Sequence, residues 1–310
     1  MFHRPMLHAA QRGAVLQQLL LLRHPRRVDV TRTGLVTETV CMAHDPHDDL
    51  TVEALVAVAL GGNPEGSEGW AAIYALQRRG GEAVLVAASA LLHSRDPKAR
   101  ARGADILAQL EQPHDVRSRG ADLLLALLRE EQDAQVLQSL VLGLGHREDA
   151  RVPGAISALK DHASARVRGA VLAGLLKAPD ADTLPVLLAF AEDPDEGVRS
   201  LAMAHLRELS PDVDTPALRD LLLRRMEDTS PTIRAEAVLA LACRKDARVL
   251  EPLRKALRRS RVRLEYVEAA GALGDASVLP ALRALVGQRE EDPPFTRALV
   301  EALAALEAEA

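Results

Sequence analysis

Residues Asp193 to Leu206 read D-P-D-E-G-V-R-S-L-A-M-A-H-L, and this stretch decides the fold. Aspartate before proline is typical of a helix start, because the carboxylate caps free amides and proline needs no amide partner in the first turn. The alanines and leucines that follow Val198 and Arg199 are spaced as on one face of a helix, and both residue types favour helices. The stretch therefore predicts a turn followed by an amphipathic helix.

The same pattern returns along the chain about every 30 residues, a spacing that is typical of repeat arrays. The other clear copies, each with a branched residue before arginine, are anchored at Val167-Arg168, Ile233-Arg234 and Val262-Arg263. Weaker copies begin near Trp70, Ala99, Val136 and Phe295. Together these copies predict about eight units (on the ~30-residue spacing) from roughly residue 65 to the end of the chain.

A second amphipathic segment precedes each anchor, with leucines at three- and four-residue spacing that give one apolar face. The clearest of these segments are Thr183–Glu192, Pro216–Met226, Val249–Leu257 and Val278–Val286. Turn signals separate the two segments of a unit at Asp96-Pro97, Asp193-Pro194 and Ser230-Pro231. Each unit is therefore predicted to be a short helix, a proline-containing turn and a second helix, and the units must stack to bury their apolar faces.

The D-P-x-x-x-V-R-x-x-A-x-x-x-L string of Asp193, Pro194, Val198, Arg199, Ala202 and Leu206 resembles HEAT repeats, and within them the bacterial type first noted in phycobilin lyases. The resemblance spans about residues 65–307. It implies an all-α fold, a right-handed α-α superhelix (HEAT-like solenoid) of about eight or nine helical pairs. It also implies that the second helices line a concave face that binds protein partners. The resemblance is specific for the fold and poor for function, because unrelated activities share such arrays.

Residues 1–64 fit the repeat less well, and we interpret them as a divergent N-terminal helical cap that is continuous with the repeat array of residues 65–310. A β-branched stretch between Val28 and Val40 predicts an atypical helix or a short extended piece, and Thr51–Leu60 predicts a helix. Gly61–Gly69 looks like a loop and is the candidate break. The apolar stretch Ala14–Leu22 predicts an amphipathic helix, because glutamines interrupt it and arginines replace a signal-peptide cleavage site.

Composition narrows the class of protein. Aromatic residues make up only 2% of the chain, whereas a β-sandwich or barrel needs more of them. The net charge of −5 provides no global basic field for nucleic acid. The two cysteines, Cys41 and Cys243, lie far apart and suggest neither a disulfide framework nor a metal site, so a cytoplasmic location is expected.

Motifs for catalysis are missing from the sequence. There is no G-x-S-x-G, no P-loop and no G-x-G-x-x-G at a strand-to-helix turn. His44 and His47 flank Asp45 near two further aspartates, but this single short loop has no distant ligand cluster, so no metal site and no cofactor are predicted. The His-Glu dipeptides that di-iron HEAT enzymes repeat do not occur either. The chain is therefore predicted not to be an enzyme.

A basic stretch near the C-terminal end is the first candidate partner-binding feature. Its members are Arg244, Lys245, Arg248, Arg254, Lys255, Arg258, Arg259, Arg261 and Arg263, opposed only by Asp246 and Glu251. If these side chains share a face, they form a patch for an acidic protein partner or a phosphate backbone. The alternative is a solvated convex face.

Two further features are candidates. Trp70 and Tyr74 lie one turn apart on a predicted second helix, and they are either core residues or an aromatic binding hot spot. The repeated arginines Arg100, Arg168, Arg199, Arg234 and Arg263 are either an anion-binding ladder or structural partners of acids such as Asp161, Asp193 and Asp228.

The leading functional hypothesis is a non-enzymatic scaffold that binds a protein or peptide on its concave face. Two alternatives stay open. One is an accessory subunit of a chromophore-lyase-like or other modifying enzyme, and the other is nucleic-acid binding through the basic stretch.

Overall fold

The computed structural model describes residues 47, 49–61, 67–110, 114–176, 183–209, 211–287 and 292–308. The chain divides into two compact units, Met1–Lys177 and Ala178–Ala310. Within the described ranges the regular structure is entirely helical. The Leu/Ala periodicity therefore predicted the class of secondary structure correctly.

The first unit contains four described helical pairs. Its helices are α1 (Val52–Leu60), α2 (Ser67–Arg79), α3 (Gly81–Leu92), α4 (Pro97–Ala108), α5 (His114–Leu128), α6 (Ala134–Gly145), α7 (Val152–Ser157) and α8 (Ala165–Leu175). Each odd-numbered helix packs against the even-numbered helix that follows it.

The second unit repeats this arrangement with four more described pairs. Its helices are α9 (Leu184–Phe190), α10 (Glu196–Glu208), α11 (Pro216–Arg225), α12 (Pro231–Cys243), α13 (Leu250–Leu257), α14 (Leu264–Leu273), α15 (Leu279–Arg283) and α16 (Pro293–Ala308). Short 3-10 turns, Ala247–Val249 and Ala276–Val278, lead into α13 and α15. The eight even-numbered helices are the eight copies predicted from the sequence.

The core of each unit runs along the even-numbered helices, because each of them packs on the next one in its unit. Leu107 of α4 and Leu140 of α6 are completely buried in the first unit, as are Leu206 of α10 and Leu241 of α12 in the second. Burial of one such side chain contributes roughly 1.5–3 kcal/mol, so each of these leucines stabilises the stacking of the second helices.

Close approach of α6 and α8 depends on two glycines. A Cβ atom at Gly145 would lie 2.7 Å from the Cα of Gly174, which is closer than two carbon atoms can pack. Ala108 and Gly143 continue the row of small residues on the neighbouring contact between α4 and α6, where a Cβ at Gly143 would lie 3.2 Å from the Cβ of Ala108. Small side chains therefore set the spacing of the helices in the first unit.

The predicted helix starts are right at two of the three Asp-Pro or Ser-Pro turns. Asp96 and Ser230 are the N-cap residues of α4 and α12, and the Asp96 carboxylate accepts a hydrogen bond from the Lys98 amide. At the third turn the capping residue is Asp195, whose carboxylate accepts from the amides of Gly197 and Val198. The carboxylate of Asp193 instead accepts from the Asp195 amide within the turn.

Predictions for the N-terminal part of the chain have mixed outcomes. The helix predicted over Thr51–Leu60 is α1, with Thr51 as its N-cap. The predicted loop ends earlier than expected, because α2 begins at Ser67 and already contains Gly69. The stretches at residues 14–22 and 28–40 lie outside the described residues, so the N-terminal cap stays a prediction. None of the helices in the described ranges has the length and apolar character needed to cross a membrane.

Candidate binding sites

Trp70 and Tyr74 lie together on α2, as their one-turn spacing predicts. Their ring centroids are 6.0 Å apart, with an angle of 36° between the ring planes. Trp70 is half-buried, whereas Tyr74 is 39% exposed. Neither the indole N–H nor the phenol hydroxyl has a hydrogen-bond partner in the part of the chain that the structure describes. The pair therefore combines a fixed aromatic surface with two open polar groups.

Arg102 and Asp105 of α4 lie beside this aromatic pair. The guanidinium carbon of Arg102 lies 5.2 Å from the Trp70 ring centroid, a cation-π distance. Nη1 of Arg102 lies 3.1 Å from Oδ2 of Asp105, and both side chains are almost fully buried. A buried ion pair costs desolvation free energy, so its presence beside an exposed tyrosine indicates a polar site rather than an ordinary core.

The electrostatics of the site follow from this burial. Burial raises the pKa of the Asp105 carboxyl, against the charge of Arg102 and a hydrogen bond from Ser139 that both lower it. Burial also raises the pKa of Tyr74, and the nearby Asp105 carboxyl adds to this effect. The Tyr74 phenol therefore stays protonated at neutral pH and keeps its hydroxyl as a donor.

Polar contacts continue from this site across the next even-numbered helices of the first unit. Nε2 of Gln77 donates to the Asp105 carbonyl at 2.7 Å. Nη1 of Arg166 on α8 donates to Oε1 of Gln138 on α6 at 2.7 Å. Gln77 and Gln138 are each only 6% exposed. We call the cluster of Trp70, Tyr74, Arg102 and Asp105 the Trp70 site.

Sequence reasoning found two of the four members of the Trp70 site and missed the other two. Arg102 and Asp105 lie three residues apart in the A-R-A-R-G-A-D string, a spacing that places both on one helix face. This spacing was an available signal for an ion pair. The spacing of Arg102 and Asp105 could not show that the ion pair packs against an aromatic ring of another helix.

The basic stretch of the second unit extends from the residues before α13, along this helix, to the residues after it. Arg244, Lys245 and Arg248 precede this helix, and the later members lie on it or follow it. Arg244 is 7% exposed and donates to the carbonyls of Ala240 and Val213, and burial lowers its pKa. It is a structural residue, and it is not available to a partner.

Several other members of the stretch are already paired. Nζ of Lys245 lies 3.5 Å from the Leu273 carbonyl. Three arginines form ion pairs with nearby carboxylates: Arg248 with Asp246, Arg254 with Glu251, and Arg263 with Glu265. In the described part of the chain, the members with no such partner are Lys255, Arg258, Arg259 and Arg261, and all four are exposed. The basic surface is thus smaller than the sequence suggested, and it is concentrated at the turn between α13 and α14.

The repeated arginines make structural contacts. Nη1 of Arg199 donates to the carbonyls of Asp193 and Pro194, while Nε and Nη2 donate to the two carboxylate oxygens of Asp228 at 3.0 and 3.1 Å. Arg100 makes the matching set of contacts with Ser94, Arg95 and Glu131.

Two other repeated arginines make the equivalent contacts with backbone carbonyls of their own turns. Nη1 of Arg168 donates to His162 and Ala163, and Nη1 of Arg234 donates to Asp228 and Thr229.

The predicted partners of these arginines are only partly right. Asp228 accepts from Arg199 through its carboxylate, as predicted. Asp193 contributes its backbone carbonyl to Arg199. Asp161 is exposed and its carboxylate lies 4.0 Å from Lys160. The structural role of the ladder is nevertheless confirmed for Arg100 and Arg199.

Among the described residues, no group of three histidine, cysteine or acidic side chains is arranged to hold a metal ion. His44, Asp45 and Asp48 lie outside the described residues.

Comparison with known proteins identifies the repeat. Residues 152–227 match a family model described as HEAT repeats. This part of the chain therefore contains HEAT repeats. Protein YibA of Escherichia coli strain K12 is 31% identical over 136 residues, which cover 44% of this chain and 48% of YibA. In this alignment the chain spans about half the length of the curated relative.

Solved structures with HEAT-like folds support the same fold. The X-ray structure of E. coli YibA matches with a TM-score of 0.70 at 22% identity, over 88% of this chain and 99% of YibA. A chain of the Kap95p–RanGDP structure matches with a TM-score of 0.53 at 14% identity, over 96% of this chain and 44% of that chain. The predicted all-α HEAT-like solenoid is therefore confirmed.

The resemblance to the phycobilin-lyase type also has a counterpart among solved structures. The CpcE–CpcF complex of the Nostoc sp. PCC7120 phycocyanin lyase matches over 89% of this chain and 99% of the matched chain, at 16% identity. The TM-score of this match is 0.38.

Proposed function

We propose that this HEAT-repeat protein is a non-enzymatic, cytoplasmic adaptor that binds a protein or peptide partner at the Trp70 site. The observation that carries the proposal is the exposed Tyr74 ring beside Trp70, with both polar groups open and with Arg102 and Asp105 fixing the ring positions.

The chemistry of the Trp70 site favours a polypeptide. Tryptophan, tyrosine and arginine are the residues that most often dominate the binding energy of protein interfaces. Aromatic rings provide a large contact area at a small cost in conformational entropy. The Tyr74 hydroxyl and the Trp70 N–H can donate to the backbone carbonyls of an extended peptide. Because Arg102 stacks on Trp70, the ring is already ordered before a partner arrives.

The two alternative functions have less support from the geometry. A cysteine thiol is one reactive group that modifying enzymes use, and burial raises the pKa of the Cys243 thiol, which lowers its thiolate fraction. Nucleic-acid binding would need a wide basic surface, yet five of the nine cations in the basic stretch are occupied by carboxylates or carbonyls.

A photo-crosslinking experiment tests the proposal. A photoreactive phenylalanine at position 74 of the full chain should crosslink a discrete partner in cells, and Trp70→Ala in the same chain should abolish that crosslink. The matched control carries the photoreactive group at Val86 on α3, which is 59% exposed and lies outside the site. Equal crosslinking from both positions, or a crosslink that survives Trp70→Ala, would refute the proposal.

Purified protein provides a second test. Peptides selected from a displayed random library on the wild-type chain should bind Tyr74→Ala at least about tenfold more weakly, because a central aromatic anchor contributes 2 kcal/mol or more. Their affinity for Val86→Ala should be unchanged. Selected peptides that bind the wild type and Tyr74→Ala equally well would place binding elsewhere and contradict the proposal.

A further inference from the structure

One of the repeated arginines, Arg234, has no carboxylate partner among the described residues. Glu131 and Asp228, the carboxylates that pair with Arg100 and Arg199, each lie five residues before the anchor of the following repeat. Among the described residues, no carboxylate of the next repeat makes the equivalent contact with Arg234. Arg234 therefore keeps its two carbonyl contacts through Nη1, but its Nε and Nη2 have no partner among the described residues.

A cavity of about 560 Å³ lies where Arg234 faces the next repeat. Arg234, Lys255, Arg259 and Tyr266 are among its lining residues, together with Asp228 and the apolar part of α13. We call it the Arg234 pocket. All its lining residues belong to the second unit, between the turn before α12 and the start of α14.

The unpaired charge of the Arg234 pocket is positive. Two acidic residues of its lining are already neutralised, since Asp228 pairs with Arg199 and Arg225, and Glu251 pairs with Arg254. The exposed Glu227 is the remaining acid of the lining. The lining also contains three cations that have no carboxylate partner in the described ranges, namely Arg234, Lys255 and Arg259. The pocket thus carries an excess of two positive charges (three cations against one acid).

We propose that the Arg234 pocket binds an aspartate or glutamate side chain of a partner polypeptide, which supplies the carboxylate that the next repeat does not provide. The Nε–Nη2 edge of a guanidinium matches the two oxygens of a carboxylate, and Arg199 uses this same edge for Asp228. Lys255 and Arg259, which also line the pocket, add electrostatic attraction. This inference rests on the proposed adaptor function and assigns a second contact to it, in the other unit of the chain.

The test uses the full chain and a fluorescein-labelled peptide of alternating glutamate and glycine, with a glutamine–glycine peptide as the uncharged match. Fluorescence anisotropy should show saturable binding of the glutamate peptide only. The double variant Lys255→Glu/Arg259→Glu should weaken binding by at least about tenfold, because it reverses both charges on the pocket wall. The matched control is Arg258→Glu/Arg261→Glu, which changes net charge equally at exposed residues outside the pocket lining.

Arg234→Lys provides an independent variant, since it keeps the charge but removes the fork. It should also weaken glutamate-peptide binding, with circular dichroism confirming that the chain is folded. If this variant unfolds, the charge-reversal pair still decides the question. Equal losses in the two double variants, or no saturable binding to the wild type at low salt, would overturn the proposal.

Two small competitors separate the possible sources of the anion. Glutarate and inorganic phosphate should displace the peptide only at concentrations far above that of unlabelled peptide. Displacement by either at equal molar concentration would show a site for free small anions and would overturn the assignment to a polypeptide. The Tyr74→Ala variant distinguishes the two proposals, because it should bind the glutamate peptide normally even if the Trp70 site has no partner.

Discussion

Arg199 on α10 forms an ion pair with Asp228, which lies in the next repeat just before α12. Nε and Nη2 of Arg199 donate to the two carboxylate oxygens of Asp228 at 3.0 and 3.1 Å. The side chains are 11% and 2% exposed, so the ion pair is shielded from water. A third group, Arg225, also lies 3.0 Å from Asp228.

Replacing Arg199 should destabilise the protein strongly. Arg199→Ala leaves the buried Asp228 with fewer compensating charges, and removal of one partner of such a pair typically costs about 3 kcal/mol or more. Arg234→Ala is the matched control, because Arg234 makes the same two carbonyl contacts but no carboxylate contact. In urea unfolding, Arg199→Ala should be less stable than Arg234→Ala by about 2 kcal/mol. Equal losses would mean that the carbonyl contacts alone matter.

The same ion pair should make stability depend on acid pH. Burial acts to raise the pKa of Asp228, but hydrogen bonds from Arg199 and the Ser230 amide, with the charges of Arg199 and Arg225, leave it below its ordinary value. A carboxyl with a lowered folded-state pKa stabilises the protein above the unfolded-state pKa of about 4, and this stabilisation is lost as pH falls below that value.

Asp228→Asn should flatten the stability curve in this acid range, measured by urea unfolding between about pH 5 and 3. Asp161→Asn is the control, since the Asp161 side chain is 88% exposed. An unchanged slope for Asp228→Asn would contradict the prediction.

Arg102 should control the fluorescence of the Trp70 site. Trp70 is the single tryptophan of the chain, so intrinsic emission reports on this site alone. Arg102→Ala removes the side chain that covers the ring and exposes this face to water, so the emission maximum should shift to longer wavelength. Arg95→Ala, which changes an exposed arginine before α4, should leave the spectrum unchanged. A spectrum that responds equally to both variants would argue against the stacking geometry.

Gly145 should not tolerate a side chain. A Cβ there would lie 2.7 Å from the Gly174 Cα, so Gly145→Ala must push α6 and α8 apart, and such overpacking typically costs about 1–3 kcal/mol. Gly154→Ala on α7 meets nothing within 4 Å and should instead stabilise by about 0.5–1 kcal/mol, because alanine favours a helix. Thermal unfolding of the two variants should therefore shift in opposite directions.

Lys245 occupies a backbone conformation that favours glycine. Its φ of 52° lies in the left-handed region, as does the 78° of Gly274, and both residues follow the end of an even-numbered helix. Lys245→Gly should raise the free energy of unfolding by about 0.5–1 kcal/mol, since a side chain in the left-handed region costs about 1–2 kcal/mol and glycine loses some of this gain through entropy. Gly274→Ala should lower it. A loss of stability in Lys245→Gly would show that the Lys245–Leu273 contact outweighs the backbone strain.

The helices could be predicted from the sequence because their causes are local. Leucine spacing, alanine content and turn residues act within one segment, and they identified all eight even-numbered helices. The helix start at Asp195 was missed, because two aspartates flank Pro194 and only the folded turn shows which of them faces the free amides.

The sites were harder to predict because they join residues of different repeats. Trp70 and Tyr74 share one helix, so their spacing was informative. The contact between Trp70 and Arg102 depends on how α2 and α4 pack, and no pattern along the chain encodes it. The missing ion pair at Arg234 has a similar cause, because it is seen only when the contacts of Arg100 and Arg199 are compared with those of Arg234.

The missing ion pair at Arg234 also affects how the second unit unfolds. In a repeat protein, cooperativity of unfolding depends on the free energy shared between neighbouring repeats. Arg199 links the α9–α10 pair to the α11–α12 pair, but at Arg234 the equivalent link to the α13–α14 pair is missing. Hydrogen exchange should therefore find the region after Cys243 opening as a separate, less protected segment. Occupation of the Arg234 pocket would extend cooperative protection through α14.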